Sequence, residues 1–184
     1  MASILDTLKD AQGGVKKSAD WYRKNVTSLA DRVTARRLMN QGKLIGRPST
    51  GRLNMFFYDP KTKARLPYYD VFPLVLPLEP IKGGFLGLNF HYLPYGLRVQ
   101  LFRRMLSFAS DNNFDEKTTI NVSWRQISSI RAVRPSIKSY LFSQVRSAFL
   151  NIRVNEMPVA LNLPVQRFVG ATDAKVYTDT RKMI

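Results

Sequence analysis

The sequence contains no cysteine, so neither a disulfide frame nor a thiolate metal site is open to it. Such a chain suits a reducing cytosol or a particle assembled there. Histidine occurs once, as His91, and glutamate three times, as Glu79, Glu116 and Glu156. A lone imidazole cannot build a multi-histidine metal site, and no nucleophile stands in a triad signature with it. The glutamates form no HExxH motif and no carboxylate pair, whereas a two-metal nuclease needs clustered acids. His91 lies in an alternating apolar strand pattern, which favours a structural role. Asp59 and Asp70 stand beside turn residues, the commoner reason for aspartate. Gly83-Gly84-Phe85-Leu86-Gly87 lacks the Lys-Ser/Thr and the following helix of a phosphate loop, so a glycine turn between strands is expected. The residues therefore point to no enzyme, no metal and no cofactor. Long apolar runs are also missing. The longest, 71–78, is broken by Pro73 and Pro77 and is too short to span a bilayer. Residues 1–17 have no apolar run and carry Asp6 and Asp10, which speaks against a signal peptide.

Acidic residues are scarce as a class. Lys and Arg number 29 against 13 Asp and Glu, a net charge of +16, and the isoelectric point is about 10.4. Nineteen Phe and Tyr and a 45% hydrophobic fraction exclude a disordered basic tail, so the charge sits on a folded body. With 184 residues, one core plus an appendage is the default. Self-repulsion on this scale is easiest to rationalise when a polyanion neutralises it; the bland alternative is a solvated surface.

Residues 1–45 read as a helical basic arm. Apolar positions Val15, Ala19, Tyr22, Val26, Leu29 and Val33 recur at spacings of four and three, the seam of an amphipathic helix. The 46–51 stretch is a linker by composition. Residues 52–170 read as an α+β core domain. Leu53, Met55 and Phe57 alternate as in a half-buried strand. Residues 58–61 form a turn. The 71–78 run is an edge or interrupted strand because its prolines remove ladder donors. Residues 83–84 turn into a strand with Leu86, Leu88, Phe90 and Tyr92 alternating. A helix starts near Pro94, burying Leu97, Leu101, Met105 and Phe108 while Arg98, Arg103 and Arg104 point elsewhere, and ends at 111–113. Residues 118–124 read as a strand or the approach to a short helix. Pro135 opens another helix, with Ile137, Leu141, Val145 and Phe149 at spacing four. Residues 152–163 resemble a closing hairpin, and 171–184 an extended C-terminal tail. The expected fold is α+β, a small antiparallel sheet able to curl into a partly open barrel, with packed helices and the helical arm.

The window 117–155 holds seven cations and no Asp or Glu, where average composition puts several acids. Six of them, Arg125, Arg131, Arg134, Lys138, Arg146 and Arg153, are the candidate contacts to the phosphates of double-stranded DNA. On a helix from Pro135, Lys138 and Arg146 share a face, with Ser139, Ser143 and Ser147 near it. Arginine's forked donors favour phosphate. Lys16, Lys17, Arg23, Lys24, Arg36 and Arg37 make a second basic surface, suited to a duplex, an acidic protein surface or a solvated face. An anionic membrane fits less well, because the cations extend beyond one helix. No helix-turn-helix, zinc finger or aromatic RNA-binding pattern is present, so backbone contact is the expected mode. No small-molecule substrate is expected.

Three strings resemble a known family. They are Phe57-Tyr58-Asp59-Pro60-Lys61-Thr62-Lys63, then Leu66-Pro67-Tyr68-Tyr69-Asp70-Val71-Phe72-Pro73-Leu74, then Gly83 to Pro94. Leu163-Pro164-Val165-Gln166-Arg167-Phe168-Val169-Gly170-Ala171 and Trp21-Tyr22-Arg23 resemble it too. The family is that of the T4-like, contractile-tailed phage DNA end protectors. The resemblance implies a virion protein, made in the host cytoplasm, that caps the ends of the packaged genome and shields them from a host exonuclease. It implies no individual residue roles. Its partners would be double-stranded DNA and neck, portal or tail proteins. Two rivals remain. A structural component of a phage neck, tail or baseplate would bury the 15–33 seam against another subunit. A nuclease would gather Asp59, Asp70 and His91 around a metal.

Overall fold

The computed structural model describes residues 5, 24–25, 33–108, 127 and 130–182. Most of the basic arm, residues 111–124 and Arg125 lie outside them. Helix α1 (Ala35–Gln41) begins at Thr34, whose hydroxyl accepts from Arg37 N–H at 3.2 Å. It lays Ala35, Leu38 and Met39 into the core. Strand β1 (Leu44–Ile45) follows and pairs with β7 (Phe149–Ile152). On the other side of β7 lies β2 (Leu53–Met55), so the 46–51 stretch joins two strands of one sheet.

Four strands lie between β2 and β7 in the chain. They are β3 (Tyr69–Asp70), β4 (Leu74–Ile81), β5 (Gly84–Asn89) and β6 (Ile137–Leu141). The six-stranded sheet runs β1-β7-β2-β4-β5-β6, every pairing antiparallel. Strand β3 pairs separately with β8 (Phe168–Val169). The fold is α+β, as the pattern of elements predicts. Gly83, at φ 76°, makes the turn into β5. The proline-bearing strand β4 is internal and not an edge. It tolerates Pro77 and Pro80 because β2 pairs only with Leu74 and Val75, and because its register with β5 slips between Pro77 and Glu79.

The sheet buries both faces and curls. Leu74, Leu76 and Leu78 of β4, Leu88 of β5, and Leu150 and Ile152 of β7 form the larger core with the helices. The opposite face carries Phe56, Tyr58, Val75, Phe85, Tyr140 and Phe149. Strands β2 and β6 are three places apart, roughly 14 Å in a flat sheet. Yet the Phe56 ring, just past β2, lies 5.4 Å from the Tyr140 ring on β6. Only a rolled sheet permits that. Beyond the strands the roll is held by backbone bonds, Asp59 N–H to Gln144 O at 3.1 Å and Arg146 N–H to Phe57 O at 2.8 Å. Among the described residues the barrel does not close; aromatic rings fill the curl. Gly84 permits the tight approach of β5 to β6, since a Cβ there would stand 1.9 Å from the Tyr140 carbonyl oxygen.

Helix α2 (Tyr95–Phe108) starts directly after Pro94, as the sequence pattern predicts, and buries Leu101 and Met105. Three expectations are corrected. No helix runs from Pro135. Arg131–Ser136 is a 3-10 helix with Pro135 inside it, then comes β6, a single turn Phe142–Gln144, and β7. A spacing of four also returns to the same face of a strand, so Ile137 and Leu141 satisfied both periods. The expected hairpin over 152–163 is instead a 3-10 turn Val154–Glu156 and a short helix α3 (Met157–Ala160), with Pro158 in its first turn. The tail is helix α4 (Asp173–Lys182), not extended chain. Asp173 at its start and Arg181 and Lys182 at its end suit the helix dipole. It docks through Val176 and through Thr180, whose hydroxyl donates to Tyr92 O at 3.0 Å.

Candidate nucleic-acid interface

The described cations of the 117–155 window do not form one face. Arg131 and Arg134 are exposed on the 3-10 helix that precedes β6. Arg146 is exposed beyond its far end. The five residues of β6 put about 17 Å between the two groups. Lys138 turns inward, its Nζ 4.4 Å above the Tyr92 ring, and burial pushes its pKa down. Arg153 is half-buried and tied to buried Glu156. Its Nε donates to Oε1 at 2.7 Å, and its backbone N–H donates to Oε2 at 2.8 Å. Arg146 approaches Asp59, with Nη2 and Oδ2 3.5 Å apart. The window itself holds no acid, yet Arg146 and Arg153 have acidic partners. Their acids lie just outside the window in sequence, or far off along the chain but adjacent in the fold. Ser147 is also engaged, accepting from Phe57 N–H at 2.9 Å and donating to Ala148 O at 2.7 Å.

Of the second basic surface, Lys24, Arg36 and Arg37 are exposed, and Lys16, Lys17 and Arg23 lie outside the described residues. The structure adds what composition did not isolate. Arg47 stands exposed at the mouth of the curled sheet, beside a cleft of about 260 Å³ lined by Gly46, Arg47, Phe142, Val145, Ser147 and Phe149. Pairing of β1 with β7, Ile45 opposite Phe149, brings these residues together, which no local pattern reveals.

The acids of the nuclease reading are separated by environment. Asp59 is at the surface, bonded to Lys63 at 2.8 Å, which holds its carboxyl below the usual range. Asp70 is buried, with His91 Nδ1 at 2.8 Å and Phe72 N–H donating to it at 3.0 Å. Among the described residues no three His, Cys, Asp or Glu side chains are grouped to hold a metal. No helix among them is long and apolar enough to cross a membrane.

His91 is enclosed, and its Nε2 has no hydrogen-bond partner among the described residues. Burial pushes its pKa below the ordinary 6.5, against the pull of Asp70 and with help from nearby Arg98. The neutral ring therefore donates from Nδ1 to Asp70. Below the ordinary value the unfolded chain takes up a proton that the native chain refuses, so acid favours unfolding. We expect stability to be complete above about pH 6.5 and to fall by at most about 1.4 kcal/mol per pH unit below it. Urea midpoints measured from pH 7.5 down to 5.5 check this, and His91→Gln should flatten that part of the profile.

A strongly basic α+β domain, its antiparallel sheet half rolled and rimmed by arginines, is the class that fold and surface define. No curated protein and no solved structure matches it. A family model does, over residues 3–182, and its description is phage T4 terminal DNA protecting protein. The chain belongs to that phage family.

Proposed function

We propose that this chain binds the ends of double-stranded DNA through the phosphate backbone, without regard to sequence, and caps the genome ends in the virion against a host exonuclease. The observation that carries this is the family match, which spans nearly the whole chain and names protection of DNA termini. The charge of +16 on a folded body supports a polyanionic partner. Exposed Arg131 and Arg134 on the 3-10 helix, with exposed Arg146 and Arg47 in the connecting segments, supply phosphate donors. Protection then follows from occlusion, because an exonuclease must reach the terminal phosphodiester.

The test compares blunt linear duplex with closed circular duplex of the same sequence, and adds a processive exonuclease to the linear form. Tighter binding to the linear form and slower digestion are expected. Equal binding to both forms with undiminished digestion would remove end capping and leave only backbone binding. No binding at low salt would remove the reading altogether.

A further inference from the structure

An aromatic side chain held open to solvent at the rim of a cationic cleft needs an explanation. Of the exposed large apolar side chains among the described residues, Leu44, Leu66 and Val169 are aliphatic, and Phe142 is the aromatic one, 41% exposed. Phe142 is not loosely placed. Its ring backs onto Phe85 at 5.7 Å, and Phe85 in turn stacks on Tyr140 at 5.4 Å with planes 23° apart. Its backbone N–H donates to Gly83 O at 2.9 Å. The ring is thus the outermost member of the aromatic pile that fills the curl, with one flank turned to the cleft it lines.

We propose that this cleft receives the terminal nucleobase of one DNA strand, stacked on Phe142, with Arg47 at the adjoining phosphate. The proposal rests on the DNA-end reading above and gives it a site. The cleft's roughly 260 Å³ lies just under the range of about 300–1,000 Å³ for drug-sized ligands, so it suits one base and not a base pair. Its lining is Phe142, Phe149, Val145, Gly46, Arg47 and Ser147, with no carboxylate. The Ser147 hydroxyl already has a donor and an acceptor, so it does not read a base edge. A site that offers one exposed ring, Phe142, and one arginine accepts any base, because every base has a π-face. End selectivity follows from stacking. A base inside a duplex is covered on both sides and must be unstacked twice to be extruded, whereas a terminal base leaves only one neighbour.

The experiment uses the full chain, with 2-aminopurine placed at the terminal or at an internal position of a linear duplex, and closed circular duplex as control. Wild type and Phe142→Trp are expected to change the emission of the terminal fluorophore and not of the internal one. Phe142→Ala is expected to lose that change and to bind ends about 5- to 150-fold more weakly, with binding to circles retained. Retained ring stacking in Phe142→Trp separates loss of the site from loss of fold. If Phe142→Ala binds ends and alters the terminal emission as wild type does, the base site is overturned and end capping stands. If wild type binds linear and circular DNA equally or not at all, both fall together.

Discussion

Replacing Arg98 by alanine is expected to cost about 3–5 kcal/mol of folding stability, the largest loss from any single substitution considered. Arg98 is 0% exposed. Its Nε donates to Leu93 O at 2.7 Å, Nη1 to Leu161 O at 3.3 Å, and Nη2 to His91 O at 3.2 Å and to the Tyr177 hydroxyl at 2.8 Å. The guanidinium also lies 4.3 Å from the Tyr95 ring centroid. Leu93 caps the 3-10 turn Phe90–Tyr92 and Leu161 caps α3, so the protons meet carbonyls at the ends of two short helices, where acceptors have no helical partner. Those carbonyls are buried and have no route to water once the side chain is gone. In a chain of this length the melting midpoint should drop by about 6–20 °C. Arg98→Lys keeps the charge but replaces the fork by one point donor, and should recover less than half of the loss. A midpoint within about 2 °C of wild type for Arg98→Ala would mean that the carbonyls find other donors.

Arg98 also shows where sequence reading reached its limit. On the helix after Pro94 the apolar positions Leu97, Leu101 and Met105 define the buried stripe, and Leu101 and Met105 are buried as expected. Arg98 sits beside that stripe. Nothing in the spacing reveals that α3, α4 and the 90–93 turn converge over it with unpaired carbonyls and a tyrosine. The same limit applies to Thr180, a polar residue that docks a helix by donating to Tyr92 O. Polar docking leaves no hydrophobic period, so the tail read as extended. Period-two alternation in β2 and β5 and the Gly83 turn are legible because each needs only its own residues. The β6 segment is not, because a spacing of four fits helix and strand alike and the ladder with β5 decides between them. The candidate interface follows the same rule. Cation scarcity of partners was read along the chain, but Asp59 reaches Arg146 across the curl. The Phe142 cleft combines residues 46–47 with 142–149, a juxtaposition made by the β1–β7 ladder, where Ile45 stands opposite Phe149.

Affinity for linear duplex is expected to fall by about a thousandfold between roughly 50 and 200 mM monovalent salt, which corresponds to about six phosphates neutralised. The sequence window assigned those contacts to Arg125, Arg131, Arg134, Lys138, Arg146 and Arg153. The cations that the structure exposes are a partly different set. Lys138 lies over the Tyr92 ring and Arg153 is bound to Glu156, while Arg36, Arg37 and Arg47 are exposed together with Arg131, Arg134 and Arg146. Each lost phosphate contact should lower the slope of log affinity against log salt by about 0.9. The pair Arg131→Gln and Arg134→Gln should therefore reduce it by about two such steps, weakening all sequences alike. Arg153→Gln should leave the slope alone and lower stability instead, because it leaves the buried Glu156 carboxylate without its partner. Lys138→Met should also leave the slope alone, since the amine is held over the Tyr92 ring and not offered to a phosphate. Phe142→Ala should shift the line without tilting it, because stacking releases no counterions. A slope for Arg153→Gln as shallow as that for a surface arginine would show that Glu156 releases this side chain to the phosphates, and that the binding surface extends around the β7 end of the sheet.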